Sequence, residues 1–204
     1  MHVLIVDDNQ TNLILLRKLV EKIEGCEPLA FADPLQALIA ASTAAVDLVR
    51  TVALAAPMHD VGKIGVSDAI LLKPGRLDPD ERREMERHAE YGFRILDGSS
   101  SELIRLAAEM ALSHRERFDG KGYPRSLAGE AIPLSGRIAA VADVCDALAS
   151  ERPYKPAWSL DRIKTYLIEN AGTQFDPQCV RALIARWSDV AALYGAETPL
   201  TAVA

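Results

Sequence analysis

The sequence predicts a mainly α-helical fold with a small α/β piece at its amino terminus. From residue 48 onward, apolar residues recur at the spacing of helices that bury one face, stretch after stretch. Before that point, two short apolar runs alternate with two helical stretches, in the order β-α-β-α. The expected division is residues 1–47 as the α/β piece, 48–190 as one helical domain and 191–204 as a small, Thr/Ala-rich tail that frays.

Val3-Leu4-Ile5-Val6, ended by Asp7-Asp8-Asn9, is a buried strand with acids at its carboxyl end. Residues 11–23 place Leu13, Leu16, Leu19, Val20 and Ile23 on one helical face, and Gly25 stops them. Residues 28–31 form a second strand. Asp33-Pro34 caps the helix that follows, with proline at its first position. Residues 48–58 are apolar and alanine-rich, so helix propensity is high, and they deliver His59 and Asp60 at a helix end.

Asp78, Pro79 and Glu81 spell a capping box, opening a helix expected to run to about residue 96. Met85, His88, Ala89, Gly92 and Ile95 share its spacing. Residues 102–113 place Leu103, Leu106, Ala107 and Met110 inward, with His114 at the end. Residues 115–133 are rich in turns, and 134–149 are helical and carry Asp143 and Asp146. Residues 160–171 and 177–187 are amphipathic helices.

The composition, 49% hydrophobic and 25% charged, is that of a globular protein with a real core. A net charge of −6 argues against a general DNA binder or a membrane-surface protein, though not against a small anion in a local basic pocket. Cys26, Cys145 and Cys179 are scattered and form no CxxC pair, so neither a disulfide framework nor a cysteine zinc site is indicated. No leader and no membrane-spanning run is evident, and a reducing, cytoplasmic setting is expected.

The chemistry gathers around His59-Asp60-Val61-Gly62-Lys63. An imidazole beside a carboxylate suits divalent Fe, Mn, Zn or Ni better than Ca, and an aspartate can bridge two metals through its two oxygens. Gly62 permits a tight turn just after the pair. Lys63 sets a compact positive charge where a phosphate would sit. His88 and His114 fall at a helix face and a helix end. With Asp143 they complete a plausible ligand set of His59, Asp60, His88, His114 and Asp143.

Two resemblances follow from the motifs. The runs LIVDDNQTN and FADPLQAL resemble a response-regulator receiver domain. That resemblance implies that Asp7 and Asp8 help hold Mg²⁺ beside a phosphate-accepting aspartate. Here Val46-Asp47-Leu48-Val49 opens the corresponding strand, but Arg50-Thr51-Val52 follows and no aspartate does. Residues 1–47 therefore resemble a truncated receiver fragment, and a phosphorelay role is not expected.

The second resemblance rests on five motifs in order: HDVGKIG from His59, HAEYG from His88, HRERFDGKGYP from His114, ADVCDAL from Ala142 and RPYK from Arg152. They are similar to the HD-GYP family, helical HD-superfamily phosphodiesterases that hydrolyse cyclic di-GMP. The resemblance implies a metal-dependent phosphodiesterase in two-component or second-messenger signalling, with one or two divalent ions, Fe or Mn foremost. Diguanylate cyclase-type or other signalling proteins are implied as partners.

By resemblance, Asp60 bridges, His59 and Asp143 serve one metal, and His88 and His114 the other. Lys63, Arg152 and Lys155 contact phosphate oxygens, the alternative for the last two being a solvated turn. Asp60 and Lys63 are the expected catalytic residues. Tyr123, in the Gly122-Tyr123-Pro124 loop, lines the pocket, faces a partner or simply anchors a turn. Asp146 orients a ligand or water, or has a capping or surface role.

Two departures matter. The family has two consecutive histidines where this chain has His114-Arg115, and a further histidine well upstream of the His-Asp pair, where this chain has only His2. The alternative implied is a catalytically degenerate module that binds cyclic di-GMP or a protein without turnover.

Overall fold

The computed structural model describes residues 50–151 and 156–195. The receiver-like piece with Asp7 and Asp8, the substrate-binding candidates Arg152 and Lys155, and the tail from 196 lie outside the described residues. Among those described, the only β pairing is two isolated bridges, Asp119 with Ala128 and Ala171 with Phe175.

Residues 50–55 are helical and tighten into a 3-10 turn, Ala56–Met58, which ends at His59. A second 3-10 turn, Val61–Gly65, follows Asp60. Then come α1 (Asp68–Leu71), α2 (Pro79–Glu86), α3 (His88–Leu96), α4 (Glu102–Ser113), α5 (Leu134–Ala149), α6 (Leu160–Glu169), α7 (Pro177–Ile184) and α8 (Trp187–Gly195).

The capping box forms as expected. The Asp78 carboxylate accepts from the amides of Asp80 and Glu81 at 2.8 and 2.9 Å, and Glu81 accepts from the Asp78 amide at 2.9 Å. The expected single helix from 79 to 96 is instead two. At Arg87 the amide bonds to the carbonyl of Glu84, a tightened turn, and the Met85 carbonyl accepts from the His88 ring instead. The break separates an exposed α2 from α3, whose His88, Ala89 and Gly92 are buried. The segment expected over 177–187 likewise ends at Ile184, and a turn leads into α8. That last helix crosses residue 190, the expected domain end, and Val190 is fully buried.

One core is shared by α4 to α8 and the helical residues before His59. Met110 of α4, Ile138 and Val141 of α5, Ile163 and Leu167 of α6, Leu183 of α7 and Val190 of α8 meet Val52 and Ala55. Burying a side chain of this size is worth about 1.5–3 kcal/mol. The Arg137 guanidinium donates at 2.6 Å to Asp176, which also caps α7, so α5 and α7 are locked together beside that core. No helix among the described residues is long and apolar enough to cross a membrane.

Two glycines set how closely the elements near the histidines approach. A Cβ at Gly62 would overlap the His88 carbonyl oxygen and the Gly92 amide, so the turn after Asp60 lies directly on α3. A Cβ at Gly136 would overlap the Ser113 hydroxyl, so α5 lies directly on the end of α4. These contacts bring the four segments that carry His59-Asp60, His88, His114 and Asp143 to one place.

Candidate metal centre

Each histidine of the motifs sits where a helix or turn begins or ends: His59 after the first 3-10 turn, His88 at the start of α3 and His114 after α4. Carbonyls at helix ends lack partners within the helix. The three imidazoles supply them. His59 Nδ1 bonds to the Ala56 carbonyl at 2.7 Å, His88 Nδ1 to Met85 at 2.7 Å and His114 Nδ1 to Ala111 at 2.9 Å. A carbonyl can only accept, so Nδ1 carries the proton in each neutral ring and Nε2 presents a lone pair.

Those lone pairs converge. His88 Nε2 and His114 Nε2 are 3.3 Å apart, too close for two acceptors unless a positive species is shared between them. Asp60 Oδ1 lies 3.5 and 3.6 Å from the same two nitrogens. Its Oδ2 lies 3.3 Å from His59 Nε2 and 2.5 Å from Lys63 Nζ. His59 Nε2 and Asp60 Oδ1 are buried and have no hydrogen-bond partner. An unpaired buried polar atom costs about 1–3 kcal/mol, which a bound cation would relieve at both atoms together. His59, Asp60 and His114 each offer an atom within 4.8 Å of the others, a possible metal site that fits a divalent ion in spacing and donor type.

Asp143, on α5, joins from the other side. Its Oδ1 is 3.9 Å from His59 Nε2, and its Oδ2 accepts from Arg115 at 2.9 Å. The second Arg115 amino group reaches to 4.0 Å from Asp60 Oδ1. The five expected ligands are thus brought together, with Lys63 beside them. What sequence reasoning missed is that Arg115 turns inward and engages the carboxylates.

The charge states follow from these neighbours. Burial pushes the His114 ring down to about 4, and burial also lowers His88. For His59 burial acts the same way, but the Asp60 carboxylate beside it, with Asp143 behind it, outweighs burial and raises the ring. Burial works against the Asp60 and Asp143 carboxylates too. His114 and His59 nevertheless hold Asp60 far below the usual carboxylate range, and Arg115 and His59 lower Asp143.

The wall beyond the histidines is Tyr123, whose ring stands edge-on to His88 with centroids 6.2 Å apart. Its loop is organised by Glu116, another residue that sequence reasoning missed. The buried Glu116 carboxylate accepts from the amides of Arg125 and Leu127 at 2.8 and 3.0 Å. The available signal was an acid directly before a run of glycines and proline, whose exposed amides need an acceptor. Gly122 passes so close to Glu116 and Arg117 that no side chain fits there. Asp146 is neither capping nor on the surface: it is buried, and its carboxylate accepts from Tyr194 at 3.1 Å, tying α8 to α5.

Comparisons with known proteins identify the family. The HD domain family matches residues 29–179. Over 136 residues, the chain is 54% identical to the cyclic di-GMP phosphodiesterase response regulator RpfG of Xanthomonas campestris, covering 67% of this chain and 36% of that one. It is 45% identical over 149 residues to a cyclic di-GMP phosphodiesterase of Thermotoga maritima, covering 73% and 40%. It is also 45% identical over 139 residues to 3'3'-cGAMP-specific phosphodiesterase 2 of Vibrio cholerae, covering 68% and 27%. The chain therefore spans well under half the length of these relatives. Among solved structures, a cyclic GMP-AMP-specific phosphodiesterase of Vibrio cholerae superposes with a TM-score of 0.52 at 18% identity, covering 93% of this chain and 54% of that one, which supports the fold. With the matched region spanning most of the sequence and its His-Asp pair at the centre of the histidine cluster, the chain belongs to the HD-domain family.

Proposed function

We propose that this protein is a metal-dependent phosphodiesterase of the HD-GYP type acting on cyclic di-GMP. The observation that carries the reading is the convergence of the His88 and His114 lone pairs on the unpartnered Asp60 oxygen. Relatives named as cyclic di-GMP phosphodiesterases support the substrate; others named for cGAMP leave the second guanine as the point to test.

In this reading His59, Asp60, His88, His114 and Asp143 hold divalent metal, Fe or Mn by donor type. Metal in such a site lowers the pKa of bound water and neutralises charge on a phosphodiester. The chain's own groups do the rest. The carbonyl-bound Nδ1 protons keep the three Nε2 atoms aimed inward. Lys63 Nζ, held on Asp60, exchanges to a phosphoryl oxygen when substrate enters. Tyr123 lines the entrance, and Arg152 and Lys155 add positive charge at the phosphates. The receiver resemblance of residues 1–47 supports a two-component or second-messenger setting for the activity, and a relative in Xanthomonas is named a response regulator.

A second reading, a binding module without turnover, is favoured by one observation: Arg115 is already paired with Asp143. One experiment separates the two. The full chain, purified without oxygen and loaded with Fe or Mn, is assayed on cyclic di-GMP and 3'3'-cGAMP beside Asp60→Ala. The expected result is metal-dependent hydrolysis of cyclic di-GMP by the parent, with both metal and turnover lost in Asp60→Ala. Turnover that survives in Asp60→Ala discards the centre. Metal and cyclic di-GMP bound without any hydrolysis selects the second reading.

A further inference from the structure

Resting on the metal-centre reading above, we infer that Arg115 is a built-in cation that fills one of two cation positions in the site, which therefore takes a single divalent ion on its histidine side.

Two positions exist around Asp60. One is bounded by His88 Nε2, His114 Nε2 and Asp60 Oδ1, within 3.3–3.6 Å of one another. The other lies toward Asp143 and His59. A guanidinium occupies this second side, donating to Asp143 Oδ2 at 2.9 Å and reaching to 4.0 Å from Asp60 Oδ1. It spans both carboxylates, as a shared cation would. Arg115 follows His114 at the end of α4, so the backbone that fixes the histidine also fixes the arginine. Its Nε is buried without a hydrogen-bond partner. Attraction to the two acids, rather than a full set of acceptors, therefore holds the group in place.

Charge balance points the same way. Among the described residues, Asp60 and Asp143 are the two carboxylates at the centre, and Lys63 and Arg115 are the two fixed cations paired with them. One divalent ion would add positive charge that an anionic diester can neutralise. A second ion would have to enter beside a guanidinium that never loses its proton and whose partner Asp143 is already committed. The histidine side has no such competitor: its two rings are neutral donors and the Asp60 oxygen facing them has no hydrogen-bond partner.

The test is metal stoichiometry and affinity, which need no catalysis. The full chain is titrated with Mn²⁺ and followed by calorimetry and by the electron paramagnetic resonance of bound ion, for the parent, Arg115→Lys, Arg115→Gln and Arg115→His. The parent and Arg115→Lys should saturate at one ion per chain with the spectrum of an isolated ion. Arg115→His, which exchanges the cation for a ligand, should take a second ion and show a coupled pair. Arg115→Gln, which keeps a polar side chain but not the charge, should bind the first ion about tenfold more tightly or better, since a like charge has left its surroundings. Two tight ions in the parent, an Arg115→His variant that still takes one, or an Arg115→Gln affinity equal to the parent's would each overturn the inference while leaving the metal centre standing. No bound ion in the parent or any variant would overturn the centre itself.

Discussion

The two sides of Asp60 are built from different materials. On the histidine side, His88 and His114 are neutral rings sealed from solvent, each 2% exposed, with their protons given to backbone carbonyls. On the acid side, Asp143 is paired with Arg115, whose side chain remains 28% exposed. The first side is held by backbone geometry and leaves Asp60 Oδ1 without a partner; on the second, the carboxylate of Asp143 is already paired with a cation, although His59 Nε2 and Arg115 Nε stay without hydrogen-bond partners. Readiness for a metal is thus a matter of what the protein leaves unpaired. The same kinds of residue, when already matched, make a structural ion pair.

The largest way to break this contrast is to separate the turn carrying Asp60 from α3. A Cβ at Gly62 would overlap backbone atoms of His88 and Gly92, which cannot rotate away. Gly62→Ala is expected to destabilise the chain by about 4 kcal/mol, at the upper end for overpacking because the clash is with backbone. Metal affinity on the histidine side should fall with it, because His88 and Asp60 move apart. Denaturant unfolding and a Mn²⁺ titration check both; a variant with parental midpoint and affinity would show that the contact is not what positions the pair.

How far the sequence could be read differs between the two sides for the same reason. The histidine side was legible because imidazoles are scarce, only 4 in the chain, and three of them fall at predicted helix ends or on an inward helix face. Helix spacing also placed Asp143 on the same helix as the core residues Ile138 and Val141. The acid side was not legible. Where Arg115 points depends on how closely α5 approaches the end of α4, and that is set by Gly136 against Ser113, residues far apart in sequence. The break at Arg87 was hidden because the periodicity runs through it; it arises from the His88 ring competing for the Met85 carbonyl. Glu116 was hidden because its partners, the amides of Arg125 and Leu127, are backbone groups that no side-chain pattern records.

A second test sharpens the contrast through pH. Burial holds His114 at about 4 against an ordinary value of 6.5, so the unfolded chain binds a proton there that the native chain refuses. Its native neutral form therefore costs nothing above 6.5, and stability is lost as pH falls from 6.5 toward 4. The gap is worth about 3–4 kcal/mol at ~1.4 kcal/mol per pH unit. His88 adds in the same direction, while the raised His59 acts in the opposite one, its stabilisation being lost as pH rises. In chelator-treated protein, thermal unfolding from pH 7.5 to 4 should show the acid loss. His114→Gln, which cannot titrate, should flatten it. An unchanged acid limb in His114→Gln would place the proton uptake elsewhere.

The smallest effect lies in the loop that follows Arg115. Glu116 is buried, and its two oxygens accept one backbone amide each, from Arg125 and Leu127. Glutamine keeps the shape but has one acceptor oxygen, so one amide would face an NH₂ group and lose its partner. Hydrogen bonds to a charged acceptor are worth about 1.5–3 kcal/mol each, and Glu116→Gln should cost about 2 kcal/mol. Because Glu116 sits next to Arg115 yet its carboxylate bonds to loop amides, the loss should appear on the acid side and in the Tyr123 loop. The tautomers of His88 and His114, fixed by Met85 and Ala111, should be untouched. Global stability should therefore fall modestly, binding of a cyclic dinucleotide should weaken through the displaced Tyr123 wall, and the affinity for the first Mn²⁺ should stay within about twofold of the parent, a difference under ~0.5 kcal/mol. A variant that instead loses the ion would show that the two sides are not independent and that the loop, as well as the helix ends, holds the histidines in place.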